Sequence, residues 1–211
     1  MSKSIRCRKS IRLPGYDYTQ PSAYFVTLCT RNREHLFGEI IDGEMHWNDF
    51  GCIAFETWEC LPRQYPYIEL DAWIVMPNHI HGIIMIHSNC GRGRSRPAPT
   101  VGNRLINLPD PTVGNRLINL PALTVGNRLI DLPAPSINDP EKRKSLGDLI
   151  GAFKTVSAKR INLLRKTPAV QIWQRNYYEH IIRSEAAWNR IRAYIVNNPL
   201  RWDRDKENIL I

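Results

Sequence analysis

Two histidines separated by a single residue, His79-Ile80-His81, open an otherwise apolar run. On a β-strand, residues i and i+2 point to one face, so the two imidazoles would lie side by side with Ile80 buried on the other. Such a pair suits a divalent metal, and metal-assisted phosphodiester chemistry would add oxygen ligands and open positions for a phosphate. An HxH triplet also arises by chance in a chain with six histidines, but two polar rings at the start of an apolar strand need a partner. Tyr194 and Asn198 form a second pair. Four residues apart on a helix, they share a face, so a phenol and an amide oxygen can converge on one point. A tyrosine nucleophile would divide a strand transfer into two displacements through a phosphotyrosine. Equally, Tyr194 continues the apolar stripe of Ile191 and Ile195, as a core or rim tyrosine does. The third cluster is WQRNYYEHIIR, from Trp173 to Arg183. Its interleaved Trp173, Arg175, Tyr177 and Tyr178 can stack bases and neutralise phosphates of a single strand, while an edge strand packed on a helix would account for them as well. His180 is open to three roles: a further ligand, a general acid or base, or a hydrogen bond to the helix that follows.

The elements that must hold these residues follow from periodicity. SAYFVTLCT, from Ser22 to Thr30, alternates and is rich in β-formers, and Asp42-Gly43 sits between two short runs as a hairpin turn. Asn48 caps a helix through Phe50, Ile53, Phe55, Trp58 and Leu61 that Pro62 should end. IELDAWIVMP and HIHGIIMI are two strands meeting at Pro77-Asn78. Ser145 with Asp148 starts a helix whose apolar face is Leu146, Leu149, Ile150, Phe153 and Val156, and whose other side carries Lys154, Lys159 and Arg160. IWQRNYYEHIIR reads as a further strand, and Ser184 caps a last helix through Trp188, Ile191, Tyr194 and Ile195 up to Pro199. This order fits an α+β sandwich of ferredoxin-like type, with helices in one layer against a mostly antiparallel sheet.

The chain of 211 residues suffices for one well-buried core, so a single domain over residues 1–211 is expected. A hydrophobic share of 43% with 23% charged residues excludes a fibrous or wholly disordered protein. The apolar runs fall far short of the roughly 18 residues that cross a bilayer, and no apolar core follows the charges of MSKSIRCRKS. No membrane association is expected. Lys and Arg number 29 against 20 acids, and a net charge of +9 favours polyanionic partners, nucleic acid first. The excess gathers at Lys3, Arg6, Arg8, Lys9 and Arg12 and again from Lys142 to Lys166, runs that a solvated surface also shows. Five cysteines, Cys7, Cys29, Cys52, Cys60 and Cys90, are odd in number and lack zinc-type spacing, which fits reduced thiols in a cytoplasmic protein. Three near-identical copies of a 12-residue repeat begin at Thr100, Thr112 and Thr124. Each holds a Gly and a Pro that break regular structure, so residues 88–140 read as a long, flexible Pro/Gly-rich insert rather than a solenoid.

Four blocks in order, WIVMPNHIHGIIMI (Trp73 to Ile86), SLGDLIGAFK, IWQRNYYEHIIR and AYIVNNPLRW (Ala193 to Trp202), closely resemble the REP-associated tyrosine transposases. These are relatives of the insertion-sequence transposases in the HUH endonuclease superfamily. The resemblance runs from Tyr24 to Trp202, leaving out the insert. It implies a ferredoxin-like fold whose central strand carries metal-binding His79 and His81, and a nucleophile that matches Tyr194 rather than Tyr177 or Tyr178. A polar residue one helical turn later, Asn198, is implied as third ligand. The implied activity is that of a DNA transposase: Mg²⁺ or Mn²⁺ polarises a scissile phosphate of single-stranded, hairpin-forming DNA, and Tyr194 attacks to leave a 5′-phosphotyrosine and a free 3′-hydroxyl. Arg6, Arg8, Lys9, Lys154, Lys159, Arg160 and Arg175 would hold phosphates, and Trp173, Tyr177 and Tyr178 would stack bases or pack beneath them. Relatives include both monomers and dimers that exchange the tyrosine helix, so a homodimer stays open. So do a replication initiator of the same superfamily, a domesticated DNA-binding protein without catalysis, and a hydrolase that uses water in place of tyrosine.

Overall fold

The computed structural model describes residues 12–88 and 143–208. Arg6, Arg8 and Lys9, and the three repeats of the insert expected at 88–140, lie outside the described residues. Strands β1 (Ser22–Cys29), β4 (Ile68–Met76), β5 (His79–Ile86) and β6 (Tyr178–Ile182) form one sheet in the order β4-β5-β1-β6, with every neighbouring pair antiparallel. Central β1 pairs along its length with β5, bringing Thr27 opposite His81 and Cys29 opposite His79. A separate hairpin, β2 (Gly38–Ile41) and β3 (Glu44–Trp47), turns at Asp42 and Gly43, whose φ values of 52° and 78° are those of the tight hairpin turn that Asp-Gly favours.

Helices α1 (Asp49–Glu59) and α3 (Leu146–Arg165) cover one face of the sheet. There Tyr24, Val26 and Leu28 of β1 and Ile80 and Ile84 of β5 pack with Ile53, Trp58, Leu149 and Phe153. Trp58 meets Phe153 edge to face at 5.1 Å, an arrangement suited to the ring quadrupoles. The same Trp58 lies directly over Gly82, where a Cβ would come within 2.6 Å of the indole. Gly82 therefore lets α1 seat against the strand that bears the histidines. Asn48 caps α1, its Oδ1 accepting from the amides of Phe50 and Gly51 at 3.0 Å. At the start of α3, Ser145 and Asp148 form the expected capping box.

The α+β fold with an antiparallel sheet stands as expected, and three local expectations change. Helix α4 (Glu185–Val196) packs on the opposite face of the sheet, where Ile195 joins Ala23, Phe25, Ile83 and Ile182. The helices thus form two layers rather than one. The reason is in the strands: β1 and β5 are apolar at odd and even positions alike, and such strands need cover on both faces. Pro62 does not end a long helix; α1 stops at Glu59, and Pro62 lies in the first turn of the short α2 (Leu61–Gln64), where its missing N–H costs nothing. Of IWQRNYYEHIIR, Tyr178–Ile182 alone is strand. Trp173 makes an isolated bridge to Thr30 and turns into the core, which takes that stretch out of the ladder.

Candidate metal centre and tyrosine site

His79 and His81 lie side by side on the α4 face of β5, ring centroids 4.4 Å apart, and both are buried. The tautomer of His79 follows from its neighbour Asn78. Asn78, fully buried, donates through Nδ2 to the carbonyls of Arg33 (3.1 Å) and Glu207 (2.7 Å), so the atom facing His79 is its carbonyl Oδ1. His79 Nδ1 must then be the donor at 2.8 Å, which leaves Nε2 as a bare lone pair. That Nε2 is buried and has no hydrogen-bond partner. His81 Nδ1 lies 2.8 Å from Thr27 Oγ1, directly across the β1–β5 ladder. Its Nε2 is 3.1 Å from the hydroxyl of Tyr194, which donates to it when Nδ1–H points to Thr27. Burial, with the charges of Arg33 and His35 behind it, pushes His79 down to about 3. Burial and the adjoining His79 push His81 down as well. Both rings therefore stay neutral at physiological pH and keep lone pairs for a metal.

Tyr194 reaches this point from α4. Its ring packs at 5.0 Å from His81 and 6.1 Å from Phe25, while the side chain stays 39% exposed, open to an incoming substrate. Burial first, then the charge of Asp205, raises its hydroxyl to about 12, against the opposing hydrogen bond of Asn198. Asn198, just past the helix, is buried; its Nδ2 donates to Asp205 Oδ2 at 2.9 Å and its Oδ1 has no partner. Asp205 is a residue that the sequence does not single out. It follows the 3₁₀ turn Pro199–Arg204, which folds the chain back over the histidines and lays Trp202 6.0 Å from His79. Ligand atoms of His79, His81 and Asp205 lie within 4.8 Å of one another, a group able to hold a metal ion. Two buried, unpartnered atoms with lone pairs, His79 Nε2 and Asn198 Oδ1, beside a carboxylate are what a divalent cation would satisfy. Spacing rules reach from Tyr194 to Asn198, one turn on, but not through a 3₁₀ reversal to Asp205.

Helix α4 is held down by Asp71. β4 slips register between Leu70 and Trp73, and at this bulge the carboxylate meets α4. It accepts from Arg192 Nε (2.7 Å) and Nη2 (2.8 Å) and from the indole N–H of Trp188. The fork is bidentate, and Asp71 is the more buried partner.

The residues expected at DNA separate into two groups. Trp173 is 4% exposed, with its indole donating to Ser157 Oγ and its ring on Phe37 and Phe153, so it packs beneath the surface and presents no face to a base. Lys154 donates to the carbonyls of Gln174 (2.9 Å) and Asn176 (3.0 Å), and burial lowers its ammonium to about 8. Arg160 pairs with Glu56 at 2.5 Å and donates to Thr57 at 3.0 Å. Both cations serve the fold, because a helix packed on a sheet turns part of its basic side inward. Lys159 and Arg175 are exposed, as is Tyr178, while Tyr177 lies under the cations of Lys154 and Arg12. His180 is exposed on β6, opposite Phe25 and on the same sheet face as His81. No helix among the described residues is long and apolar enough to cross a membrane.

The sheet thus carries paired histidines under a tyrosine from the packed helix α4. No protein-family model matches the chain. A Haemophilus influenzae protein described as an uncharacterized protein is 34% identical over 205 residues, covering 96% of this chain and 93% of that protein. Among solved structures, the chain is similar to a REP-associated tyrosine transposase bound to a REP hairpin, with a TM-score of 0.50 and 15% identity over 92% of this chain and 76% of that one. The chain belongs to one family with the Haemophilus influenzae protein, and it has the fold of a REP-associated tyrosine transposase.

Proposed function

We propose that the protein is a DNA transposase that cleaves and rejoins single-stranded, hairpin-containing DNA through Tyr194. One observation carries this reading: the Tyr194 hydroxyl lies 3.1 Å from His81 Nε2, beside buried, unpartnered ligand atoms on His79 and Asn198. A divalent cation held by His79, His81, Asn198 and Asp205 would supply charge stabilisation at a scissile phosphate. Asn78 fixes the His79 tautomer, so the lone pair on its Nε2 is presented without reorganisation. Asp71 keeps α4 on the sheet and so holds Tyr194 in place. The phenol oxygen attacks phosphorus as the bond to the 3′-oxygen breaks; the phenolic proton ends on the departing 3′-hydroxyl, and a 5′-phosphotyrosine remains. Reversal by a 3′-hydroxyl rejoins the strand with no external energy source. The substrate is proposed as hairpin DNA because the similar transposase is bound to a REP hairpin.

The test is cleavage of labelled hairpin DNA from the repeats flanking the gene, with Mn²⁺ or with EDTA, beside thermal denaturation in the same buffers. Mn²⁺ should support cleavage and raise the melting temperature; at a hundred-fold excess over Kd, binding to the folded state contributes about 2.7 kcal/mol. His79→Ala should lose both effects. Cleavage that persists in EDTA would overturn the metal site.

A further inference from the structure

Beside Tyr194, between α4 and the edge strand β6, runs a groove of about 310 Å³ lined by Phe25, Tyr178, His180, Arg190, Ile191 and Tyr194. We infer that this groove is the binding subsite for the nucleotide adjoining the scissile phosphate, its base stacked on Tyr178 and its backbone met by Arg190. The inference rests on Tyr194 acting on DNA, and it adds where the reacting strand lies.

Three observations carry it. Phe25 forms the floor, with the ring of Tyr178 edge-on at 6.2 Å on one side and that of Tyr194 at 6.1 Å on the other. Tyr178 is 47% exposed on the sheet face beside α4. Its free face offers a sequence-tolerant platform for a base. Arg190 lies one helical turn before Tyr194, so both side chains belong to one face of α4. Among the described residues no carboxylate lines the groove, and the exposed Arg190 gives it the charge sign that suits a phosphodiester. Continuity fixes the occupant. Tyr194 Oη must lie in line with the phosphorus it attacks, so the nucleotide next to that phosphate has to pass along one side of the phenol. On the other side the 3₁₀ turn and Trp202 lie over the histidines, which among the described residues leaves the β6 groove as the open path.

Hairpin DNA carrying 5-iododeoxyuridine at successive single-stranded positions would be photo-crosslinked, and the attached peptides mapped, with cleavage kinetics measured in parallel. A crosslink to Tyr178 should come from a position within one or two nucleotides of the phosphate joined to Tyr194. Tyr178→Ala and Arg190→Ala should each raise KM about ten-fold, the scale of removing one base stack or one phosphate ion pair, with Mn²⁺ affinity unchanged. Tyr178→Phe should restore KM because the stacking face is kept. Crosslinks confined to other elements, or wild-type KM in the two alanine variants, would overturn the subsite while a Tyr194 adduct still upholds the transposase reading. A Tyr178 crosslink without any Tyr194 adduct would uphold the groove and overturn that reading.

Discussion

Lys154 shows how burial changes what a charged residue does. Its ammonium is directed at two backbone carbonyls rather than at solvent, and burial lowers it to about 8 from the roughly 10.4 of an unfolded chain. Between those values the unfolded state binds the extra proton, so this residue makes stability rise with pH from about 8 to about 10, its cost being fully present below about 8. Cys29, raised to about 12 by burial and by Glu207, acts in the opposite direction once an unfolded thiol ionises near 8.5. The clean measurement is therefore the difference between wild type and Lys154→Met, by urea denaturation across this window. That difference should rise in favour of wild type as pH increases; a flat difference would return Lys154 to an ordinary surface cation. At this scale the histidine pair is legible in the sequence because strand alternation forces His79 and His81 together whatever surrounds them. Lys154, Arg160 and Trp173 are not, since a basic helix side and an aromatic cluster read alike whether they face solvent or pack inward.

At the scale of elements, the tyrosine depends on how α4 lies on the sheet. The Asp71 carboxylate draws Arg192 and Trp188 to the bulge of β4, two and six residues before Tyr194. Removing the acceptor takes away the bidentate partner of Arg192 and leaves the Trp188 indole N–H without its acceptor where α4 meets β4. Asp71→Ala should lower cleavage by about a hundred-fold through misplacement of the phenol, with Mn²⁺ affinity retained because the histidines stand on β5. Wild-type cleavage in Asp71→Ala would show that Ile195 and the apolar packing of α4 suffice to position Tyr194. Strands β1, β4 and β5, the Asp42-Gly43 hairpin and the Asn48, Ser145 and Ser184 caps can be read from sequence, because each is set by local chemistry. The bulge, the side of the sheet chosen by α4 and the return of Asp205 to the histidines cannot, because they arise when elements meet.

For the whole molecule, a net charge of +9 predicts salt-sensitive binding to DNA, but the structure restricts which cations contribute. Exposed Lys159 and Arg175 are available to phosphates, whereas Arg160 is held by Glu56 and Lys154 by carbonyls. Neutralising Lys159 or Arg175 should reduce the slope of log K against log salt by about 0.7 for each single-strand phosphate that the side chain pairs with, and neutralising Arg160 should leave it unchanged. Equal effects from all three would mean that the basic side of α3 acts as one surface. Every step of the proposed reaction depends on Tyr194 as the nucleophile. The direct measurement is incubation of labelled hairpin DNA with Mn²⁺, trypsin digestion and mass spectrometry of the covalent products. A nucleotide mass is expected on the peptide Ala193–Arg201, which contains Tyr194 as its one tyrosine, and no such product from Tyr194→Phe. Modification of the peptide Asn176–Arg183, which carries Tyr177 and Tyr178, or cleavage with no adduct at all, would contradict it.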